Sequence, residues 1–200
     1  MNDRSQTQLI TGLAGLVLAA GPSTRLGRAK QTAVYRNTTL VEHAVNRALA
    51  YCGAGVVVVT GAHHEQVVTA LDGLPVEAIY NPDWREGMSS AVRMGTYRIG
   101  AKCQAIMLML CDQPMISRAD FSSLVDAWIS HPERIAAAKY AGICGVPAIF
   151  PLNCRDELMS LRGDEGAKRI IENAQSVSAV KMPNAEFDID TPDDFSKLNS

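Results

Sequence analysis

The residues best suited to chemistry are two cations and a few aspartates, each placed just beyond an apolar run. Arg25 and Lys30 lie in GPSTRLGRAK, directly after LVLAA (Leu16–Ala20). Asp112 follows AIMLML (Ala105–Leu110) within Cys-Asp-Gln-Pro, and Asp188 and Asp190 stand one residue apart in DIDTPDD. Phosphate binding needs backbone N–H groups brought close to the anion and fixed positive charge beside them. Gly21 allows a tight turn, the Pro22-Ser23-Thr24 segment offers loop amides, and Arg25 and Lys30 supply the charge. Carboxylate oxygens are hard ligands, and Mg²⁺ takes one or two of them together with phosphates and water. Plainer readings stand beside these: Gly21 as a strand end with two solvated cations, and Asp112 as a turn or helix-capping acid. The loop is neither GxxxxGK[ST] nor GxGxxG, which argues against a P-loop and against a dinucleotide fingerprint.

Alternation puts the carboxylates of Asp188 and Asp190 on one side and Ile189 on the other, and Asp190 is the choice for a second metal ligand beside Asp112. Thr191-Pro192 resembles a helix start, so Asp193 and Asp194 read as acids complementing a helix dipole. Gly87-Met88-Ser89-Ser90 opens a helix after Asn81-Pro82-Asp83-Trp84. It combines close backbone approach with hydroxyls and helix-start amides. Thr60 and Gly61 end an apolar run and could add a contact. Trp84 reads as a packing anchor rather than a stacking platform. Gly163, Asp164 and Lys168 belong to GDEGAK, a loop leading into a capped helix, where Lys168 could meet an anionic substrate. The histidines His43, His63, His64 and His131 form no HxxxH or HxH pair, and the five cysteines form no CxxC, so a structural zinc site is not expected.

These groups need elements to hold them. The chain has 200 residues, 47% hydrophobic and 20% charged, with a formal net charge of -2. That length suits one domain with a sizeable core, and the charge gives no basic field for nucleic acid. Nearly continuous apolar runs predict strands at Gly15–Ala20, Gly55–Thr60, Val76–Tyr80, Ala105–Leu110, Arg134–Lys139, Ala148–Phe150 and Ser178–Met182. Runs of this kind suit strands buried on both faces of a parallel sheet. Helices are expected at Thr39–Tyr51, His64–Leu71, Ser89–Ile99, Arg118–Ser130, Leu152–Leu161 and Glu165–Asn173. The alternation gives an α/β class, a three-layer α/β/α Rossmann-like arrangement with a mostly parallel sheet. Residues 1–12 are expected to form a flexible tail and residues 13–200 the single domain. The polar start and the lack of a membrane-length apolar run lead us to expect a cytoplasmic chain with no membrane partner. In such sheets ligands bind beyond the carboxyl ends of the strands, which is where the polar groups fall.

LxAGxSxRxGxxK, carried here by Leu18, Ala20, Gly21, Ser23, Arg25, Gly27 and Lys30, resembles the signature of nucleotidyltransferases. These include the molybdenum cofactor guanylyl- and cytidylyltransferases and the sugar-nucleotide pyrophosphorylases. The Ala19-Ala20-Gly21 form is similar to the cytidylyltransferase branch. NPDWREGMSSAV, CDQP, LRGDEGAK and DIDTPDDF match the same branch in order, so the resemblance spans most of the chain. Two stretches depart from it: Gly145-Val146-Pro147 stands where the family often has Gly-His-Pro, and Gln31-Thr32-Ala33-Val34 replaces a leucine-rich continuation.

The resemblance implies a nucleotidyltransferase fold and transfer of CMP from CTP to a phosphorylated acceptor of molybdopterin type, with release of pyrophosphate. GTP as donor, or a sugar or polyol phosphate as acceptor, is the near alternative. A non-catalytic nucleotide- or cofactor-binding chaperone is an alternative of another class. A nicotinamide dehydrogenase is disfavoured by the missing GxGxxG. Catalysis is implied for Arg25, Lys30 and Asp112, and metal binding (Mg²⁺, with Mn²⁺ as a substitute) for Asp112 and Asp190. Nucleotide binding falls to Leu18, Ala19, Ala20, Gly21, Ser23, Thr60, Gly61, Asn81, Gly87, Ser89 and Ser90. Acceptor binding falls to Gly145, Gly163, Asp164 and Lys168. A monomer or weak homo-oligomer is expected, passing its product to a molybdoenzyme or its chaperone.

Overall fold

The computed structural model of the protein describes residues 9–198. Residues 1–8 of the expected tail lie outside them. From Ile10 onward the chain is pinned: Ile10 N–H donates to Tyr51 O at 2.8 Å, and Ile10 O accepts from Gly53 N–H at 3.0 Å. The stretch 10–12 therefore belongs to the domain rather than to a tail.

The chain enters β1 (Leu13–Ala19), then a loop and a single 3₁₀ turn at Lys30–Thr32. A short hairpin follows, β2 (Val34–Tyr35) and β3 (Thr38–Thr39), turned by Arg36 and Asn37 at φ 48° and 70°. Next come α1 (Leu40–Tyr51), β4 (Val56–Thr60), α2 (His64–Ala70), β5 (Glu77–Tyr80), α3 (Met88–Ile99) and β6 (Ala105–Leu110). The second half holds α4 (Arg118–Ser130), β7 (Ile135–Tyr140), β8 (Ile143–Pro151), α5 (Arg155–Ser160), α6 (Lys168–Asn173), β9 (Val177–Lys181) and α7 (Pro192–Leu198). Capping boxes start two helices, Thr39 with Glu42 for α1 and Ser117 with Asp120 for α4, satisfying otherwise orphaned N–H groups. Among the described residues no helix is long and apolar enough to cross a membrane.

Seven strands form one sheet in the order β5-β4-β1-β6-β8-β7-β9. All neighbouring pairs are parallel except those of β8, which runs antiparallel to β6 and β7. β1 is buried throughout, and its alternate side chains serve two cores. Val17 and Ala19 face α1, α2 and α4 with Val45, Val67 and Phe121. Leu16 and Leu18 face α3, α5 and α6 with Val92, Leu158 and Ile170. The three layers follow directly from that alternation. A small third cluster packs Tyr35, Leu40 and Ile189, fastening the hairpin to the segment before α7.

The sheet departs from expectation at three places. β8 is longer than Ala148–Phe150 and antiparallel, because the two-residue turn Ala141-Gly142, at φ 45° and 80°, folds it straight back on β7. The helix expected over Leu152–Leu161 is split into a 3₁₀ turn and α5. The helix expected from Glu165 starts at Lys168.

From β1 the chain steps outward to β4 and β5, then returns to β6 on the other side of β1. Strand order thus reverses between β1 and β6, whose ends are level, with Leu18 opposite Leu110. A crevice opens at such a point, and the loops leaving Ala19 and Leu110 line it. Gly61, after β4, keeps the neighbouring wall close. A Cβ there would strike Ala20 O and lie 2.7 Å from Trp84 Cβ. Because backbone must move to make room, Gly61→Ala is expected to cost about 1–3 kcal/mol. Calorimetry should show a Tm lowered by several degrees; an unchanged Tm would mean that the end of β1 yields freely.

Candidate active site

At the crevice, one ammonium joins the two metal-ligand candidates. Lys30 Nζ donates to Asp112 Oδ2 at 2.5 Å and to Asp190 Oδ1 at 2.9 Å. Arg25 Nη1 lies 3.0 Å from the second oxygen, Asp190 Oδ2. Lys30 and Asp112 are 15% and 13% exposed, whereas Arg25 is 73% exposed, so the pair at the bottom is shielded and the guanidinium stands at the mouth. Burial works against the charge on Lys30, but the carboxylates of Asp112 and Asp190 more than reverse it, holding the ammonium above the ordinary lysine range. Four residues that are far apart in sequence, Arg25, Lys30, Asp112 and Asp190, are brought together here.

Main-chain bonds set this geometry. Ile189 N–H donates to Asp112 O at 3.0 Å, laying the Asp188–Asp190 segment alongside the end of β6. Ile189 is fully buried, so its side chain anchors the segment in the third cluster while the acids face the crevice. Gln113 Nε2 donates to Ala185 O at 2.9 Å and ties the same two segments a second time. Asp194 Oδ2 accepts from Thr191 N–H and Oγ at 2.8 Å and from Asp190 N–H at 3.2 Å, capping α7 and fixing the backbone of Asp190.

A divalent cation fits these residues. Asp112 Oδ1 is buried with no hydrogen-bond partner, and its sister oxygen converges with Asp190 on a position already held by a cationic group. Among the described residues no three His, Cys, Asp or Glu side chains gather as a closed metal cage. Two carboxylates, completed by phosphate and water, are an ordinary set for Mg²⁺.

The loop after β1 differs in detail from its sequence reading. Gly21 does not adopt a left-handed φ; the residues that do are Ser23 at 52° and Gly27 at 70°. A Cβ on Gly21 would meet nothing within 4 Å, so the missing side chain leaves open space above the end of β1. Leu18, Ala19 and Ala20 bury their side chains, which leaves only main chain to face a ligand there. His63 Nε2 lies 3.0 Å from Pro22 O and supports the loop from α2.

At the segments expected to hold the base, the side-chain hydroxyls point into the protein. Thr60 Oγ donates to Ile79 O at 2.9 Å and lies 2.7 Å from His64 Nδ1. Asn81, 1% exposed, donates from Nδ2 to Ser90 Oγ at 2.8 Å and accepts from Asp83 N–H at 3.1 Å. Ser90 Oγ is within reach of Gly87 O, and Ser89 Oγ donates to Gly163 O at 2.5 Å. These side chains shape the turn into α3. Gly87, at φ 116°, sits against the loop that precedes α6, since a Cβ there would strike Gly163 O and Asp164 Oδ1. Arg93 clamps the same junction, with Nη1 donating to Leu161 O at 2.7 Å while both Nη atoms engage Glu86 at 2.6 and 2.9 Å. Trp84 packs against the second core and carries Arg85 over its ring at 4.2 Å. Gly145 lies under the Tyr140 phenol, whose oxygen would stand 2.5 Å from a Cβ. Lys168 is exposed and pairs with Glu172 of its own helix at 3.5 Å, apart from the quartet.

Sequence reasoning missed Gln31, Gln113 and Arg93. Gln31 stood beside Lys30 as an unexplained polar residue, and Gln113 lay inside the CDQP motif, so both carried a signal. Arg93 offered none within an amphipathic helix.

Asp188 retains an exposed edge, but loss of hydration first and the Asp112 carboxylate second push its carboxyl up to about 6, with Gln113 and Lys30 pulling the other way. A carboxyl whose folded pKa is raised favours the fold at low pH, and that contribution is lost as pH rises from the ordinary 3.8 through about 6. Asp188→Asn should therefore gain Tm relative to the parent above pH 6 and not below pH 4. Parallel Tm–pH curves for the two proteins would refute the crowding of these acids.

Residues 15–179 match the family described as the MobA-like NTP transferase domain. The purine catabolism protein PucB of Bacillus subtilis is 27% identical over 195 residues, covering 92% of this chain and 94% of PucB. The molybdenum cofactor cytidylyltransferase of Escherichia coli is 24% identical over 186 residues, covering 90% and 92%. The crystal structure of Rv0371c from Mycobacterium tuberculosis superposes with a TM-score of 0.81 at 28% identity over 96% of this chain and 98% of that one. That protein is also known in complex with manganese. Matched over residues 15–179, this chain belongs to the MobA-like NTP transferase domain family.

Proposed function

We propose that the protein transfers CMP from CTP to a phosphorylated acceptor of molybdopterin type, in the cytoplasm, releasing pyrophosphate. The observation that carries this reading is the quartet of Arg25, Lys30, Asp112 and Asp190, in which phosphate-binding cations and metal-binding carboxylates meet across a reversal of strand order. The relative named as a molybdenum cofactor cytidylyltransferase supports the choice of nucleotide and acceptor.

In the reaction, an oxygen of the acceptor phosphate bonds to the α-phosphorus. The bond from that phosphorus to the bridging oxygen breaks, and pyrophosphate leaves with the electron pair. An acceptor phosphate is already anionic at neutral pH, so no covalent enzyme intermediate is required and catalysis rests on positioning and charge. Asp112 and Asp190 would hold Mg²⁺, which supplies Lewis acidity toward the phosphates. Lys30 exchanges its carboxylate partners for phosphate oxygens of the triphosphate. Arg25, exposed at the mouth, leaves Asp190 to neutralise the departing pyrophosphate.

Thermal unfolding with CTP, GTP, ATP and UTP, each with and without Mg²⁺, tests the donor. A ligand at a hundred times its Kd adds about 2.7 kcal/mol, a shift of several degrees at this size. A Mg²⁺-dependent shift with CTP alone is expected. A shift with GTP instead would move the reading to guanylyl transfer, and pyrophosphate release in the presence of acceptor separates an enzyme from a non-catalytic carrier.

Two substitutions probe the quartet. Asp112→Asn should lower turnover about a hundredfold or more, roughly 2.7 kcal/mol of barrier, with the fold retained. Lys30→Gln should have opposite effects on the two ligands. Without the ammonium between the carboxylates, Mn²⁺ alone should bind about tenfold more tightly, equivalent to about 1.4 kcal/mol, while the triphosphate binds more weakly. Mn²⁺ resonance titrations showing weaker metal binding in this variant would contradict the exchange of partners.

A further inference from the structure

We propose that Gln31 is a positioning residue that shapes the phosphate loop for the triphosphate, an inference that rests on the nucleotidyl-transfer reading above. Gln31 lies in the 3₁₀ turn immediately after Lys30 and is 1% exposed. A buried side-chain amide is stabilising only when its donors and acceptors are satisfied, and this one is satisfied within the loop itself. Its Nε2 donates to Gly21 O at 2.7 Å, and its Oε1 accepts from Ser23 Oγ at 3.2 Å. Ser23 Oγ in turn accepts from Lys30 N–H at 3.2 Å. One amide thereby connects the entrance of the loop, its left-handed residue and the backbone of its lysine.

The chemistry of the loop explains why this matters. The peptide unit joining Gly21 to Pro22 has a carbonyl oxygen but no N–H, because proline lacks one. Turned toward a ligand, that oxygen would present an uncompensated negative dipole end to a polyanion. Gln31 holds it inward, leaving the remaining loop amides as the groups able to face phosphate. Ser23 Oγ is likewise occupied between Gln31 and Lys30 N–H. The serine of the motif therefore acts here on the loop's own backbone, not as a free hydroxyl for the ligand. An apolar side chain at position 31 could fill the same space and offer neither bond.

The role predicts a split in binding constants. In Gln31→Met, similar in length but unable to make these bonds, the affinity for the Mg²⁺ complex of the preferred nucleoside triphosphate should fall at least tenfold by calorimetry. The acceptor KM should change less than twofold. Amide hydrogen exchange across residues 21–30 should quicken, and the ligand-free Tm should stay within a few degrees of the parent. Ser23→Ala, at a partly exposed position, breaks two of the three bonds without disturbing the core. It should quicken exchange throughout residues 21–30 and not at Lys30 alone.

The outcomes separate cleanly. A parent protein that binds none of the four nucleotides overturns the nucleotidyl-transfer reading, and the proposed role goes with it. A parent that binds, together with a folded Gln31→Met of equal affinity, overturns only the role of Gln31. Should Gln31→Met fail to fold, exchange in Ser23→Ala that quickens only at Lys30 would overturn it instead.

Discussion

The contact of the Lys30 ammonium with two carboxylates is the constraint around which the crevice is built. Two acids this close repel one another, and a shielded charge without a partner is costly. The lysine makes their approach affordable in the absence of other ions. It also joins three segments remote in sequence: the loop after β1, the end of β6 and the stretch before α7. The surrounding bonds serve this meeting. Ile189 and Gln113 bring the late segment against β6, while Gln31 and His63 hold the early loop from below and beside. On the proposed reading, binding a polyanion and its counter-cation exchanges charge partners already in place.

Much of the scaffold could be read from the chain because both faces of the sheet are buried. Leu13–Ala19 and Ala105–Leu110 are apolar on consecutive positions, a pattern that few alternatives produce. The capping box of Ser117 and Asp120 stands at the start of the helix expected at Arg118–Ser130. β8 could not be read in this way. An apolar run states that a strand is buried and is silent on its direction, which the Ala141-Gly142 turn decides. The β2–β3 hairpin was missed because its strands are two residues each, too short to show a period, and only Asn37 hinted at its turn.

The acids and cations of the site were legible because charge beyond a buried strand has few other uses. The serines, the threonine and the asparagine were less so. A hydroxyl or amide in a turn can serve a ligand or the turn itself with the same residue type and spacing. Ser89, Ser90, Thr60 and Asn81 all bond to protein atoms, a distinction that depends on rotamers and not on sequence. The two cations of the quartet also occupy different surroundings, one shielded and one at the surface, although the motif presents them as equivalent.

The seam between Gly87 and the Gly163–Asp164 loop joins what the sequence treats as two separate regions. Ser89 and Arg93 bond across it, and Gly87 has no volume to spare. The turn into α3 and the loop before α6 are thus two faces of one partition. A loop exchanged between relatives on one side of that partition carries the other side with it. Residues 81–93 and 161–166 form a single structural block, and redesign of either side has to carry the other with it.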